Sequence, residues 1–376
     1  MSATVAVAQP AGGTLVAIAV GMVFVGMAIG AAELVPHRSV SIRRSAFSAT
    51  VDARVGWLIL GAVAVTCGLV AVGLIVGDFP ISAGDALRTA LWERQGEFDF
   101  IVNSLRFPRV TVAVLAGMAL AASGAVFQAL ISNPLVSPDI IGINNGAAVF
   151  AVSILAAGGD VSLLPVAAFG GAIGTAFLIY LLAWKQGVSG SRLVLVGIGI
   201  NSALAAVIVF VTVRFPIERV VAAARWQAGT LFGASWSDAR ILAIGLATLL
   251  PGCFFLTRRL RLLQLGDDVA AAMGVRVERD RLLLIVCASG LAALAVSVVG
   301  PLAFVALLVP HLARLIAGNL TGGVLVFTAL LGGIFLLASD LIAQRLFAPT
   351  VLPAGVVTAA LGGPYFLLLL ARHNRG

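Results

Sequence analysis

Apolar residues in this chain arrive in long unbroken runs, at about 13–35, 55–77, 110–131, 143–158, 162–184, 193–213, 239–257, 282–299, 302–317, 324–345 and 353–371. A helix crosses the hydrocarbon with roughly 20 apolar residues. Strands of an outer-membrane barrel would instead alternate apolar and polar positions, and the runs do not. The pattern predicts an all-α polytopic membrane protein of eleven spans, two of them short. The first run, "GTLVAIAVGMVFVGMAIGAAELVPH", is long enough to span and lacks the basic leader of a secretory signal. It predicts an extra N-terminal transmembrane helix.

The polar positions between the runs give the orientation. Loops 36–54, 132–141, 185–192, 257–281, 311–323 and 371–376 hold 15 of the 24 Lys and Arg. The alternate loops hold fewer, diluted by acids such as Asp78, Asp85, Glu93, Glu97 and Asp99. The first set therefore faces the cytoplasm by the positive-inside rule. The C-terminus lies inside and, with eleven spans, the N-terminus outside.

Composition agrees and narrows the class. The chain is 61% hydrophobic and only 11% charged, with a mean hydropathy of +1.11, where soluble domains carry about a quarter charged residues. The net charge of +8 is accounted for by membrane orientation. No basic run is interleaved with aromatics, so nucleic acid is not an expected partner. Cys67, Cys253 and Cys287 each fall inside an apolar run, and His37, His311 and His373 are dispersed. No metal site, catalytic residue or nucleophile–base pair is expected. No GxxxxGK[ST] phosphate loop occurs, so ATP is not bound by that route. Gly117, Ala121 and Gly124 recur at the spacing that lets helix backbones approach closely.

Three kinds of feature stand out from the apolar background. "NPLVSPDIIGINNGA" (133–147) interrupts it with two prolines and several polar groups, and the charge parity places it at the cytoplasmic ends of two helices. Arg106, Arg109 and Arg345 share the external face, where rigid guanidinium forks can meet carboxylates of an external partner or snorkel at the interface. Asp340 reads as a local helix partner of Arg345. On the inside, "DDVAAAMGV" in the loop 257–281 predicts a short helix, capped at its start by Asp267 or Asp268 and ended by Gly274. It could dock in a groove on another protein. "GPLAFVALLVPHLARL" carries Pro301 and Pro310 at the ends of a short apolar run and predicts a short or broken helix. His311 and Arg314 read as structural residues at its inner end. Mid-span acids are few, which weighs against an ion-coupled secondary transporter.

These segments together resemble the FecCD-type permease subunits of ABC importers for iron siderophores, haem and cobalamin. The resemblance spans about 55–373. It rests on "LRFPRVTVAVLAGMALAASGAVFQALISNPLVSPDIIGINNGAAV", "RWQAGTLFGASW", "LGDDVAAAMGV", "FVALLVPHLARL" and "LPAGVVTAALGGPYFLLLL", in the family's order. It implies a ten-helix type II ABC importer permease core over 55–376. Residues 1–54 would then be an extension carrying the extra transmembrane helix and a basic cytoplasmic linker. The implied assembly lies in the cytoplasmic membrane of a prokaryote, surrounded by lipid. It joins two permease subunits, as homo- or heterodimer, to two cytoplasmic ABC ATPases and an extracytoplasmic substrate-binding protein. The substrate implied is a ferric siderophore, with haem or cobalamin as alternatives. The permease binds no cofactor itself, and the ATPases use the ATP. By the same resemblance Asn133, Leu135, Gly190 and Ser191 form a cytoplasmic gate. Arg106, Arg109 and Arg345 meet the binding protein, and Asp267, Ala270, Gly274, Val275 and Arg276 belong to the ATPase contact. The chain departs from the family pattern at Ala303 and Ala306, where glycine is usual.

Overall fold

The computed structural model describes residues 39–44, 47–77, 79–92, 96–185, 187–346 and 350–373. The expected extra span at 13–35 lies outside the described residues.

The described chain opens with an antiparallel hairpin, β1 (Ser39–Arg44) against β2 (Phe47–Asp52), where a linker was expected. The sequence explains the difference: "SVSIRR" and "FSATVD" alternate polar and apolar residues, the strand period. Everything after it is helical or connecting chain. The order is α1 (Ala53–Ile75), α2 (Ala83–Leu91), a π-helical turn (Phe100–Arg106) running into α3 (Phe107–Ile131), α4 (Pro138–Ile141), α5 (Ile143–Ala157) and α6 (Leu164–Ala183). It continues with α7 (Gly190–Arg214), α8 (Ile217–Gln227), α9 (Trp236–Leu263), α10 (Asp267–Ala272), α11 (Val277–Val299), α12 (Val305–Ala317), α13 (Gly322–Arg345) and α14 (Ala354–His373). A backbone in hydrocarbon must satisfy its own polar groups, which selects helices.

Seven helices among the described residues are long and apolar enough to cross a membrane. Shorter apolar helices at 143–157, 305–317 and 354–367 coincide with three further predicted runs. Several helices outrun their apolar stretches because polar residues cap them: Thr321 accepts from the Val324 N–H, and Ser235 and Asp238 cap α9 reciprocally. Such caps satisfy amides that the first turn leaves open. The amphipathic helices α2 and α8, on the external connections, were not anticipated, because neither is apolar enough to read as a run.

The centre of the bundle is α3, packed on α13, α11 and α9. Its spanning stretch is 78% buried, against 11% for α7, so α7 lies at the edge and α3 in the core. Small residues make the close approach possible. An added Cβ at Gly117 would collide with the Gly332 carbonyl, and one at Gly332 with the Gly117 carbonyl and Ala121. Pro310 does not end α12 but sits inside it. Proline cannot donate to the carbonyl four residues earlier, here Ala306, and that oxygen lies against the Gly124 α-carbon. The broken region is instead the stretch before it, where Phe304 takes a left-handed φ of 66°.

Candidate functional site

Two turns that the loop charges place on the cytoplasmic side meet at one cavity. The first follows α3. Ser132 adopts a left-handed φ of 54°, the Asn133 N–H donates to the Gln128 carbonyl at 3.1 Å, and Asn133 Oδ1 accepts from the Leu135 N–H at 2.9 Å. This local side-chain turn holds Pro134 and Leu135 away from the helix axis. The second precedes α7: Arg192 Nη1 donates to the carbonyls of Ala183, Lys185 and Gly187, binding the connection back on itself.

Between them lies a cavity of about 770 Å³ lined by Asn133, Pro134, Leu135, Ser191, Val194, Ile198 and His311, among others. Of the four residues expected at a gate, Asn133, Leu135 and Ser191 line it. Gly190 packs beside it, its α-carbon close enough to Ile131 that a Cβ would stand 3.2 Å from Ile131 Cγ2.

His311 is a member that the sequence reading set aside. Its ring packs edge-on to Tyr365, 6.1 Å between centroids, and its Nδ1 is buried without a hydrogen-bond partner. Arg314, one turn further on, donates to Gln128 Oε1 at 2.9 Å, and Gln128 Nε2 donates to the Leu307 carbonyl at 3.0 Å. The spacing of His311 and Arg314 along "PHLAR" was the available signal. Only packing shows that His311 lines the cavity while Arg314 turns to Gln128.

Helix α10 projects from the cytoplasmic end of the α9–α11 pair. Its C-terminus is a Schellman motif: the Gly274 N–H bonds to the Ala271 carbonyl at 2.9 Å and the Val275 N–H to Ala270 at 3.0 Å, with Gly274 at φ +83°. Its start differs from expectation. Gly266 is the N-cap, with no side-chain cap, and Asp267 instead pairs with Arg281 at 2.6 Å. Ala270 is buried, whereas Val269 and Met273 are exposed. Arg276 is the N-cap of α11.

The base of this unit is hydrogen-bonded next to the first turn and lies beside the second. Gln264, which ends α9, donates from Nε2 to the Ala129 carbonyl at 2.9 Å, three residues before Ser132. Glu278, in the first turn of α11, faces Gly187, where an added Cβ would stand 2.8 Å from Oε1. Arg259 reaches from α9 to the buried Asp280 of α11 at 2.6 Å, bracing the pair.

At the opposite end, the arginines have partners within the chain. Arg106 is buried and donates to the carbonyls of Leu74 and Ile75 at 2.8 and 2.9 Å, and to Phe79 at 2.6 Å, closing the C-terminus of α1. Arg109 forms a bidentate pair with Asp340: Nε to Oδ2 and Nη2 to Oδ1, both 2.8 Å. Asp340 also accepts from Gln344, one turn on, at 2.8 Å. Its ionic partner is thus on α3, rather than Arg345 on its own helix. Arg345, half-buried, is the last residue of α13.

A core of close-packed apolar helices, a cavity at the ends of two of them and a short helix projecting beside it define a multi-spanning membrane protein. The chain belongs to the FecCD transport family, whose profile matches residues 63–372. It is 40% identical over 304 residues to the ferric enterobactin transport system permease protein FepG of Escherichia coli, covering 81% of this chain and 92% of that one. It is 42% identical to the achromobactin transport system permease protein CbrC of Dickeya dadantii, over 80% of this chain and 86% of the relative. A solved structure of a metal-chelate type ABC transporter in an inward-facing conformation matches with a TM-score of 0.74 at 25% identity, covering 84% of this chain and 99% of that one.

Proposed function

We propose that this permease forms one half of a pathway carrying a ferric siderophore across the cytoplasmic membrane. A second permease copy or paralogue completes the pathway, a binding protein delivers the chelate from outside, and two ATPase subunits drive the cycle. The siderophore is favoured over haem or cobalamin because FepG and CbrC are named for siderophore transport.

Asn133, Leu135, Gly190 and Ser191 form the cytoplasmic gate in this reading, with His311 on the wall between the two turns. The observation that carries it is the hydrogen bond from Gln264, at the base of the α10 unit, to the Ala129 carbonyl near the end of α3. A force on α10 reaches the Asn133 turn through this contact. Rigid helices with such ties can convert a small docking shift into opening. Asp267, Ala270, Gly274, Val275 and Arg276 then belong to the surface or frame that an ATPase cleft grips. Outside, Arg106, Arg109 and Arg345 together are the proposed contact with the binding protein. Arg109 contributes a partly exposed charge already balanced by Asp340, and Arg106 contributes through the shape of the α1 end.

The test is Gly274→Trp in proteoliposomes containing the partner subunits and a loaded binding protein. A side chain there meets nothing within 4 Å, while the φ of +83° strains any residue but glycine and loosens only the end of α10, so the membrane-spanning helices should still assemble. ATP hydrolysis should persist while uptake of iron-labelled siderophore falls to background. Unchanged ATP-driven uptake would refute the coupling assignment.

A further inference from the structure

Deeper than the gate cavity lies a second one, of about 470 Å³, that the transport reading does not use. Asp139, Asn144, Asn145, Asn201 and Gln227 converge on it, and neither Lys, Arg nor His lines it. Its depth follows from α7. Ser191, Val194 and Ile198 line the gate cavity, and Asn201 continues their stripe. Ten residues beyond Ser191 at 1.5 Å each, Asn201 sits about 15 Å further into the membrane.

The cavity lies at a break between helices. α4 stops at Gly142, which takes φ +107° and receives no side chain because its α-carbon lies against Asn201. α5 then restarts at Ile143. The break turns Asp139, before it, and Asn144, after it, toward one space. Asn145 is anchored across it, its Nδ2 donating to Asn201 Oδ1 at 2.7 Å. Asn144 is only 7% exposed, yet its Oδ1 accepts no hydrogen bond.

We propose that Asp139, Asn144 and the neighbouring carboxamides bind a monovalent metal cation at this break. The Asp139 carboxylate is half-buried in a cavity that no basic side chain lines, and a carboxylate withdrawn from water favours a balancing charge. A buried carbonyl oxygen without a donor adds a second demand of the same sign. Broken helices with polar residues at the break are a recurring way to build ion sites in membranes. The donor set is oxygen only, which suits hard cations. The cavity offers one carboxylate, Asp139, which matches a single positive charge. The volume leaves the ion part of its water shell. The position of this site along a pathway rests on the transport reading, but binding does not.

The probe is radiolabelled sodium, equilibrated with the purified full chain in detergent and choline chloride. Saturable binding that potassium displaces is expected, with affinity lowered at least about tenfold, or 1.4 kcal/mol, in Asp139→Asn. Asn144→Leu should weaken binding in the same direction, and Asp160→Asn in the external connection should leave it unchanged. Non-saturable binding would overturn the proposal, as would wild-type affinity in monodisperse Asp139→Asn. Displacement by calcium but not potassium would overturn the monovalent assignment. If Asp139→Asn does not fold, wild-type affinity in Asn144→Leu is sufficient to refute the site. No uptake is measured, so failure here leaves the permease assignment untouched.

Discussion

Removing the Asp340 carboxylate should expose how strongly the external end of the bundle depends on one ion pair. Asp340 is fully buried and Arg109 is 17% exposed in its side chain, so solvent screens the pair weakly. The guanidinium and carboxylate meet through two parallel 2.8 Å hydrogen bonds, the geometry in which such pairs are strongest. Asp340→Ala leaves most of the Arg109 guanidinium buried without its counter-charge, which costs about 3–5 kcal/mol in comparable sites. Asp340→Asn retains one acceptor and should cost less. The Arg109→Ala, Asp340→Ala double variant should recover part of the loss, giving a coupling energy above about 1 kcal/mol. Denaturant titration of the chain in mixed micelles, followed by circular dichroism, measures all four corners of the cycle. Additive single effects, or an Asp340→Ala loss within about 0.5 kcal/mol of wild type, would refute the view that this pair fastens α3 to α13.

Gly117→Leu should be poorly tolerated, since even a Cβ there collides with the Gly332 carbonyl. Overpacking of this sort costs about 1–3 kcal/mol, visible as earlier loss of the monodisperse peak on heating, and an unchanged melting profile would contradict the close packing. The external arginines should separate into two behaviours. Arg106→Ala removes the donor to three carbonyls at the end of α1, so it should lower thermal stability at all salt concentrations. Arg345→Glu should instead weaken capture of the binding protein, most at low ionic strength where charges reach furthest. Equal capture by Arg345→Glu and wild type at low salt would remove Arg345 from the docking surface.

The sequence by itself determined the class and the short helix at 267–272, and it supplied the expected sidedness. Each is a local property. Run length reports hydrocarbon thickness, arginine density reports the inner face, and "DDVAAAMGV" carries its own stop signal in Gly274. Strand alternation at 39–52 was also legible, but the segment was read only by its basic charge. α2 and α8 escaped notice because a helix at an interface needs only a partial apolar face. What only the tertiary structure decided is which polar groups meet. Asp340 finds its counter-charge 231 residues away in sequence, Arg106 closes a helix it does not belong to, and His311 reaches the cavity beside Asn133 and Ser191. The convergence of Asp139, Asn144 and Asn201 is of the same kind. In a membrane, buried charge must be balanced by whatever the fold brings near, and that choice is made by packing between helices, which no single helix's sequence contains.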